Sequence, residues 1–144
     1  MIVGGFARVV HGSAETSDGL DVVPSLREEN LRRLGRALEQ LGAPAADLTE
    51  RVAASEPVMA KTSAGELRIV PVPWGTRGYD DLRIRAFREN LGRGARPQVA
   101  SLVDCVRMLE ASEREPDAER LLRLRRLMEL ERRLVPERGL SIDL

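Results

Sequence analysis

Lysine is almost absent from this chain, since Lys61 is the only one against 22 arginines in a basic total of 23. The bias follows the usage of a GC-rich genome, but it also has chemical content. An arginine fork binds a carboxylate or phosphate through two parallel hydrogen bonds, which an ammonium cannot do. Aromatic residues make up 3% of the chain, which leaves almost no stacking platform for single-stranded nucleic acid. Cys105 is the single cysteine, so an internal disulfide and any multi-cysteine zinc site are excluded, and a reducing cytoplasm is the expected setting. His11 has no second histidine with which to share a metal. No stretch approaches the roughly 18 apolar residues of a membrane span. No basic-then-apolar leader opens the sequence, so neither export nor a membrane is expected. Acidic and basic side chains cancel, 23 against 23, and so the chain as a whole is no binder of polyanions.

What is present is enough for one domain with one real core in 144 residues. Met1 to Val3 form an apolar stub broken by Gly4 and Gly5. Phe6, Ala7, Val9 and Val10 fit a short helix closed by Gly12. Leu20, Val22 and Val23 read as a buried strand stopped by Pro24. Ser25 and Glu28 have capping-box spacing ahead of Leu31, Leu34, Leu38 and Leu41, which recur at helical spacing up to Gly42. Residues 43–56 are Ala-rich and weakly patterned, and predict a loop with a helical turn. PVMAKTSAGELRIVPVP predicts a hairpin around Ser63-Ala64-Gly65, with Glu66 and Arg68 on one side of its second strand.

A short acidic helix follows through Asp80, Asp81 and Leu82. A second strand pair is expected between Phe87 and Gln98. Ser101 predicts the cap of a helix with Asp104 as its partner, and Pro116 separates that helix from a last one running from about Asp117 to Val135. The last helix interleaves Arg with Glu, Glu129 pairing with Arg125 and Arg133, which reads as a solvated face rather than an RNA-binding one. Its leucines cover more than one stripe, which predicts a homodimer or a partner protein. The chain opens almost directly on a strand, so an upstream element, or one lent by another chain, is expected. The order of elements is α+β: a short mixed sheet with helices mainly on one face and a helical section from about residue 101.

The run GGFARVVHGSAETSDGLD, the helix start EN-L-x-x-L, and the later GELRIV, WGTRGYDDL and SLVDCVRM together resemble the nucleotidyltransferase-like superfamily (the DNA polymerase beta-like fold). They are most similar to small bacterial members related to the AbiEii-type toxins of toxin–antitoxin systems. The resemblance covers most of the chain and implies one domain over residues 1–144. It implies Mg²⁺-dependent transfer of a nucleotidyl group from an NTP to an RNA or protein hydroxyl. Gly4 and Gly5 match the phosphate-binding turn, where backbone N–H groups approach a triphosphate. Asp21 matches one of two strand carboxylates that hold magnesium and, with it, the catalytic position.

The remaining carboxylates depart from that pattern. Family members read G-x-x-R-x-T-x-D-x-D where this chain reads GSAETSDGLD. Glu15 therefore stands at the usual arginine, Ser17 at the threonine and Gly19 at the first aspartate. Asp18 is the substitute candidate for catalysis and metal binding, if a bulge with φ > 0 at Gly19 turns it back to the face of Asp21. Arg68 stands where the third acid is expected, and Glu66, two residues away, is the remaining candidate metal ligand. Two outcomes are open: a working enzyme, or a non-catalytic nucleotide-binding or assembly module with a degenerate site. His11 is expected to cap helix-end carbonyls, and Trp74 and Tyr79 to form the edge of the core.

Overall fold

In the computed structural model, which describes residues 1–143, β1 (Ile2–Val3) lies antiparallel to β2 (Leu20–Val22), with Val3 opposite Asp21. Between them runs α1 (Gly4–Val10), whose Ala7 is fully buried. β3 (Val58–Thr62) and β4 (Gly65–Ile69) form an antiparallel hairpin, and β4 continues parallel to β2. β5 (Phe87–Arg88) and β6 (Gln98–Val99) form the second strand pair, and β6 joins β1 in parallel. The result is a six-stranded mixed sheet in the order β3-β4-β2-β1-β6-β5, open at both edges. With α2 (Glu28–Gln40), α3 (Ala45–Ala53), α4 (Tyr79–Leu82), α5 (Leu102–Glu110) and α6 (Glu115–Asp143), the fold is α+β.

Two apolar clusters hold the sheet. Leu38 of α2, with Leu48 and Val52 of α3, packs on Val58, Ala60 and Ile69 of the hairpin. Ile2, Val3, Ala7 and Val99 pack with Leu82, with Leu102, Val106 and Leu109 of α5 and with Leu124 of α6. Leu67 and Ile69 join the first cluster, so Arg68 between them is directed to the other face of β4, the face of Asp21.

Helix ends account for most departures from expectation. α2 ends as foreseen: Gly42, at φ +75°, donates to the Glu39 carbonyl and Ala43 donates to that of Leu38, a Schellman arrangement. Its start is different. The N-cap is Arg27, not Ser25, because the Asn30 side chain takes the Ser25 carbonyl at 2.8 Å and the first turn begins beyond it. Residues 45–53 form a full helix instead of a loop with one turn, since Ala45, Leu48 and Val52 bury one face at helical spacing. Ser101 does cap α5, accepting from the Asp104 amide at 3.1 Å. The Asp104 carboxylate does not return the bond; it is buried with Arg85 at 3.5 Å and Arg107 at 3.7 Å.

Pro116 lies inside the first turn of α6, where its missing N–H costs nothing. Arg125 turns to Glu110 of α5, while Glu129 pairs with Arg132 and Arg133. Leu122, Leu130 and Leu134 remain exposed on α6. The expected helix end at Val135 is passed, the backbone continuing as helix to Asp143. No described helix is long and apolar enough to cross a membrane.

Candidate functional site

The register of three strands builds the site. Val3, Asp21 and Arg68 stand side by side on β1, β2 and β4. The chain leaves β1 through Gly4, whose φ of +69° few L-residues adopt. A Cβ on Gly4 would lie 2.5 Å from Oδ2 of Asp21, so the turn and the acid are fitted against each other. Above them opens a cavity of about 420 Å³, within the usual size range of small-molecule pockets. The glycine turn, the 15–19 loop, Asp21 and Arg68 contribute polar lining. The 70–74 loop with Trp74, and Met108 and Leu109 of α5, contribute apolar lining.

Of the expected site residues, Gly4, Gly5, Asp18 and Asp21 border this cavity and Glu66 does not. Glu66 is exposed at the hairpin end of β4, its backbone beside Gly19, two residues and so ~6.6 Å along the strand from Arg68. Asp18 is exposed on the loop, and Gly19 keeps a negative φ, so the positive-φ route for turning Asp18 toward Asp21 is not taken. Nε of Arg68 lies 3.7 Å from Oδ1 of Asp21, and that Nε is buried without a hydrogen-bond partner. Burial pushes the Asp21 carboxyl above its ordinary value, with Arg68 opposing the shift.

Sequence reasoning missed a second charge system on the same cavity. Arg8 is the only charged residue in the apolar α1, and that isolation was its signal. Its Nε and Nη2 bond the two oxygens of Glu15 at 3.0 and 2.9 Å, and Ser13 donates to the same carboxylate at 2.8 Å. Burial would raise Glu15, but these hydrogen bonds outweigh it and hold the carboxyl below its usual range. Glu15 thus holds a guanidinium supplied by α1 at the lining of the cavity. Arg120 lies 3.9 Å from Glu15 and bonds Asp117 at 2.8 Å, and Arg114 and Ser112 also bond Asp117. Burial works against ionisation of Asp117, yet the donors from Ser112, Arg114 and Arg120 prevail and bring it down to about 2.

The lining therefore carries Arg8, Arg68, Arg114 and Arg120 against Glu15, Asp18, Asp21 and Asp117, four charges of each sign. Arg8, Arg114 and Arg120 are engaged by close carboxylates, which leaves Arg68 with the most bonding capacity to spare. Cys105 also borders the cavity, but burial pushes its thiol up to about 12, too high for a nucleophile at neutral pH. His11 points elsewhere: its Nε2 lies 2.8 Å from the Ala100 carbonyl, not on its own helix end, and its ring meets Phe87 edge-on. Tyr79 does form a core edge, donating to Gln98, whereas Trp74 is 59% exposed on the cavity rim.

Magnesium requires several converging oxygens. Among the described residues no three His, Cys, Asp or Glu side chains are grouped to hold a metal ion, and Asp21 is paired with a cation. These residues do not fit the ion. Compared with protein-family models, curated proteins and solved structures, the chain finds no match.

Proposed function

We propose that this protein binds a nucleotide in the Arg68–Asp21 cavity without transferring it, as a nucleotidyltransferase-like pseudoenzyme that serves as a binding or assembly module. The observation that carries the reading is the guanidinium of Arg68 placed 3.7 Å from Asp21, where the family resemblance calls for a metal-binding carboxylate. A fixed guanidinium provides positive charge for a phosphate and can engage it through two parallel hydrogen bonds. It cannot polarise or deprotonate an attacking hydroxyl as a magnesium ion would. Because the lining is electroneutral, the bound species has to gain from specific hydrogen bonds and apolar contact rather than from a general positive field.

The catalytic alternative, Mg²⁺-dependent transfer to an RNA or protein hydroxyl, needs carboxylates beyond Asp21. Asp18 is the one other expected acid on the cavity. A cytoplasmic, toxin–antitoxin-like role and assembly with a second copy or a partner protein belong to the same proposal. The exposed Leu122, Leu130 and Leu134 of α6 support the assembly part.

Calorimetric titration with ATP, CTP, GTP and UTP, with and without Mg²⁺, tests the reading directly. Binding whose affinity is the same with and without the ion, together with no label transferred from radioactive NTPs, is the expected result. Robust Mg²⁺-dependent transfer that disappears in Asp18→Ala would overturn it.

A further inference from the structure

Trp74 lines the cavity and is 59% exposed. Single exposed apolar residues are common on protein surfaces and carry no message by themselves. What sets Trp74 apart is how firmly its loop is held open. Pro71 and Pro73 are buried and fix the backbone on its N-terminal side. Thr76 closes the turn, its amide and hydroxyl both donating to the Pro73 carbonyl at 3.1 and 2.9 Å.

On the C-terminal side the chain is pressed against its neighbours through glycine. A Cβ on Gly75 would lie 2.9 Å from that of Ala111 and 3.0 Å from the Arg107 carbonyl, and one on Gly78 would lie 2.8 Å from the Pro71 carbonyl. The backbone that carries Trp74 cannot shift without breaking these contacts. Val72, 46% exposed, and Met108 extend the same apolar wall.

We infer that Trp74 is the stacking surface for the base of a bound nucleotide, whose phosphates are directed to Arg68. This deepens the proposed function and rests on it. One cavity is lined by both an exposed aromatic face and a guanidinium with an unused buried donor, which is the complement of a flat heterocycle joined to an anion. Because stacking tolerates any base, the recognition favours nucleotides as a class over one particular base.

Trp74 is the only tryptophan, so intrinsic fluorescence reports on this one position. ATP and UTP are expected to quench it, whereas inorganic tripolyphosphate is not. Calorimetry should find ATP bound about tenfold or more tighter than tripolyphosphate, the scale of one base stacked on an aromatic ring. Trp74→Ala should remove that advantage and leave tripolyphosphate binding unchanged, while Trp74→Phe should retain most of it. The exposed position makes loss of folding in these variants easy to exclude by circular dichroism. Equal affinity of wild type and Trp74→Ala for ATP would overturn the stacking role and leave the binding pocket standing. So would a Trp74→Phe variant as weak as Trp74→Ala. Failure of the wild type to bind either ATP or tripolyphosphate would remove the pocket reading itself, and this inference with it.

Discussion

Arg8–Glu15 and Arg68–Asp21 border one cavity and are built in opposite ways. The first joins two side chains no more than 10% exposed through close hydrogen bonds, with Ser13 and Arg120 nearby. The second is longer, its arginine side chain is 42% exposed, and one buried donor is left without an acceptor. A buried pair with its bonding capacity filled behaves as part of the framework. A pair with spare capacity can exchange partners when an anion arrives. Arg8–Glu15 is therefore framework, and Arg68–Asp21 is the pair on this cavity that is open to a ligand.

The largest effect is expected at the framework pair. Removing one partner of a buried ion pair strands the other charge, at a cost of about 3 kcal/mol or more. Glu15→Ala should lower unfolding stability by about that amount in urea titration, because Arg8 would then lie buried in α1 without its carboxylate. Joint replacement, Arg8→Met with Glu15→Leu, should recover much of the loss, since no unpaired charge remains. A Glu15→Ala protein within 0.5 kcal/mol of wild type, on the order of a neutral surface change, would show that the two pairs do not differ in kind.

This contrast explains what the sequence made legible. Strand alternation placed Glu66 and Arg68 on one face of their strand, and the family resemblance implied that this face adjoins Asp21. The glycine turn was readable as well, since Gly4-Gly5 stand between an apolar stub and an apolar helix. Arg8 and Glu15 are seven residues apart across a turn with no regular spacing, so no periodicity signals that they meet. α3 was hidden by its alanines, which bury a face without marking it strongly; Ala45 is as buried as its larger neighbours require. Trp74, expected with Tyr79 at the edge of the core, stands outside it at 59% exposure, on a loop whose tertiary contacts no local pattern signals. Local pattern thus marked the glycine turn and the strand faces, while the exposure of Trp74 and the locked charges depend on tertiary packing.

Acid titration should show the next largest effect, with Asp117 and Asp21 shifted in opposite directions. Asp117 falls from an ordinary value of 3.8 to about 2, so its contribution to stability is present above pH 3.8 and is lost as pH falls toward 2. That is worth roughly 2 kcal/mol at neutral pH. Asp21 runs the other way. Its value is raised, so the native state takes up a proton first, and stability falls as pH rises from 3.8 through the folded value. Asp117→Asn should therefore cost roughly 2 kcal/mol at pH 7 and converge on wild type as the pH approaches 2. Asp21→Asn should be neutral or stabilising at pH 7 and converge at acid pH from the other side. Urea unfolding of the three proteins at pH 3, 5 and 7 measures both trends. If Asp21→Asn is as costly at pH 7 as Asp117→Asn, then Asp21 is framework as well.

The smallest change in stability, and the most direct reading of function, is expected at Arg68. A partly exposed ion pair contributes at most about 1 kcal/mol, so Arg68→Ala should unfold almost as wild type does. Its ATP affinity should nevertheless drop about tenfold, the loss of one charge-assisted contact to a phosphate. The reverse exchange asks whether the cavity can be given a metal. Gly19→Asp with Arg68→Asp places one carboxylate just before β2, two residues from Asp21, and another on the neighbouring β4, and it removes the competing cation. A Cβ at Gly19 would approach the Glu66 carbonyl to 3.2 Å, so the backbone there has to yield by a few tenths of an ångström. Gly19 does not have a positive φ, so the substitution meets no left-handed strain. ATP binding by the double variant should become Mg²⁺-dependent, strengthening about tenfold on addition of the ion, as converging carboxylates supply the oxygens that magnesium needs. Binding that stays indifferent to Mg²⁺ would mean that the strand positions are wrong for a metal even with the right side chains. The role of Arg68 would then reduce to phosphate recognition alone.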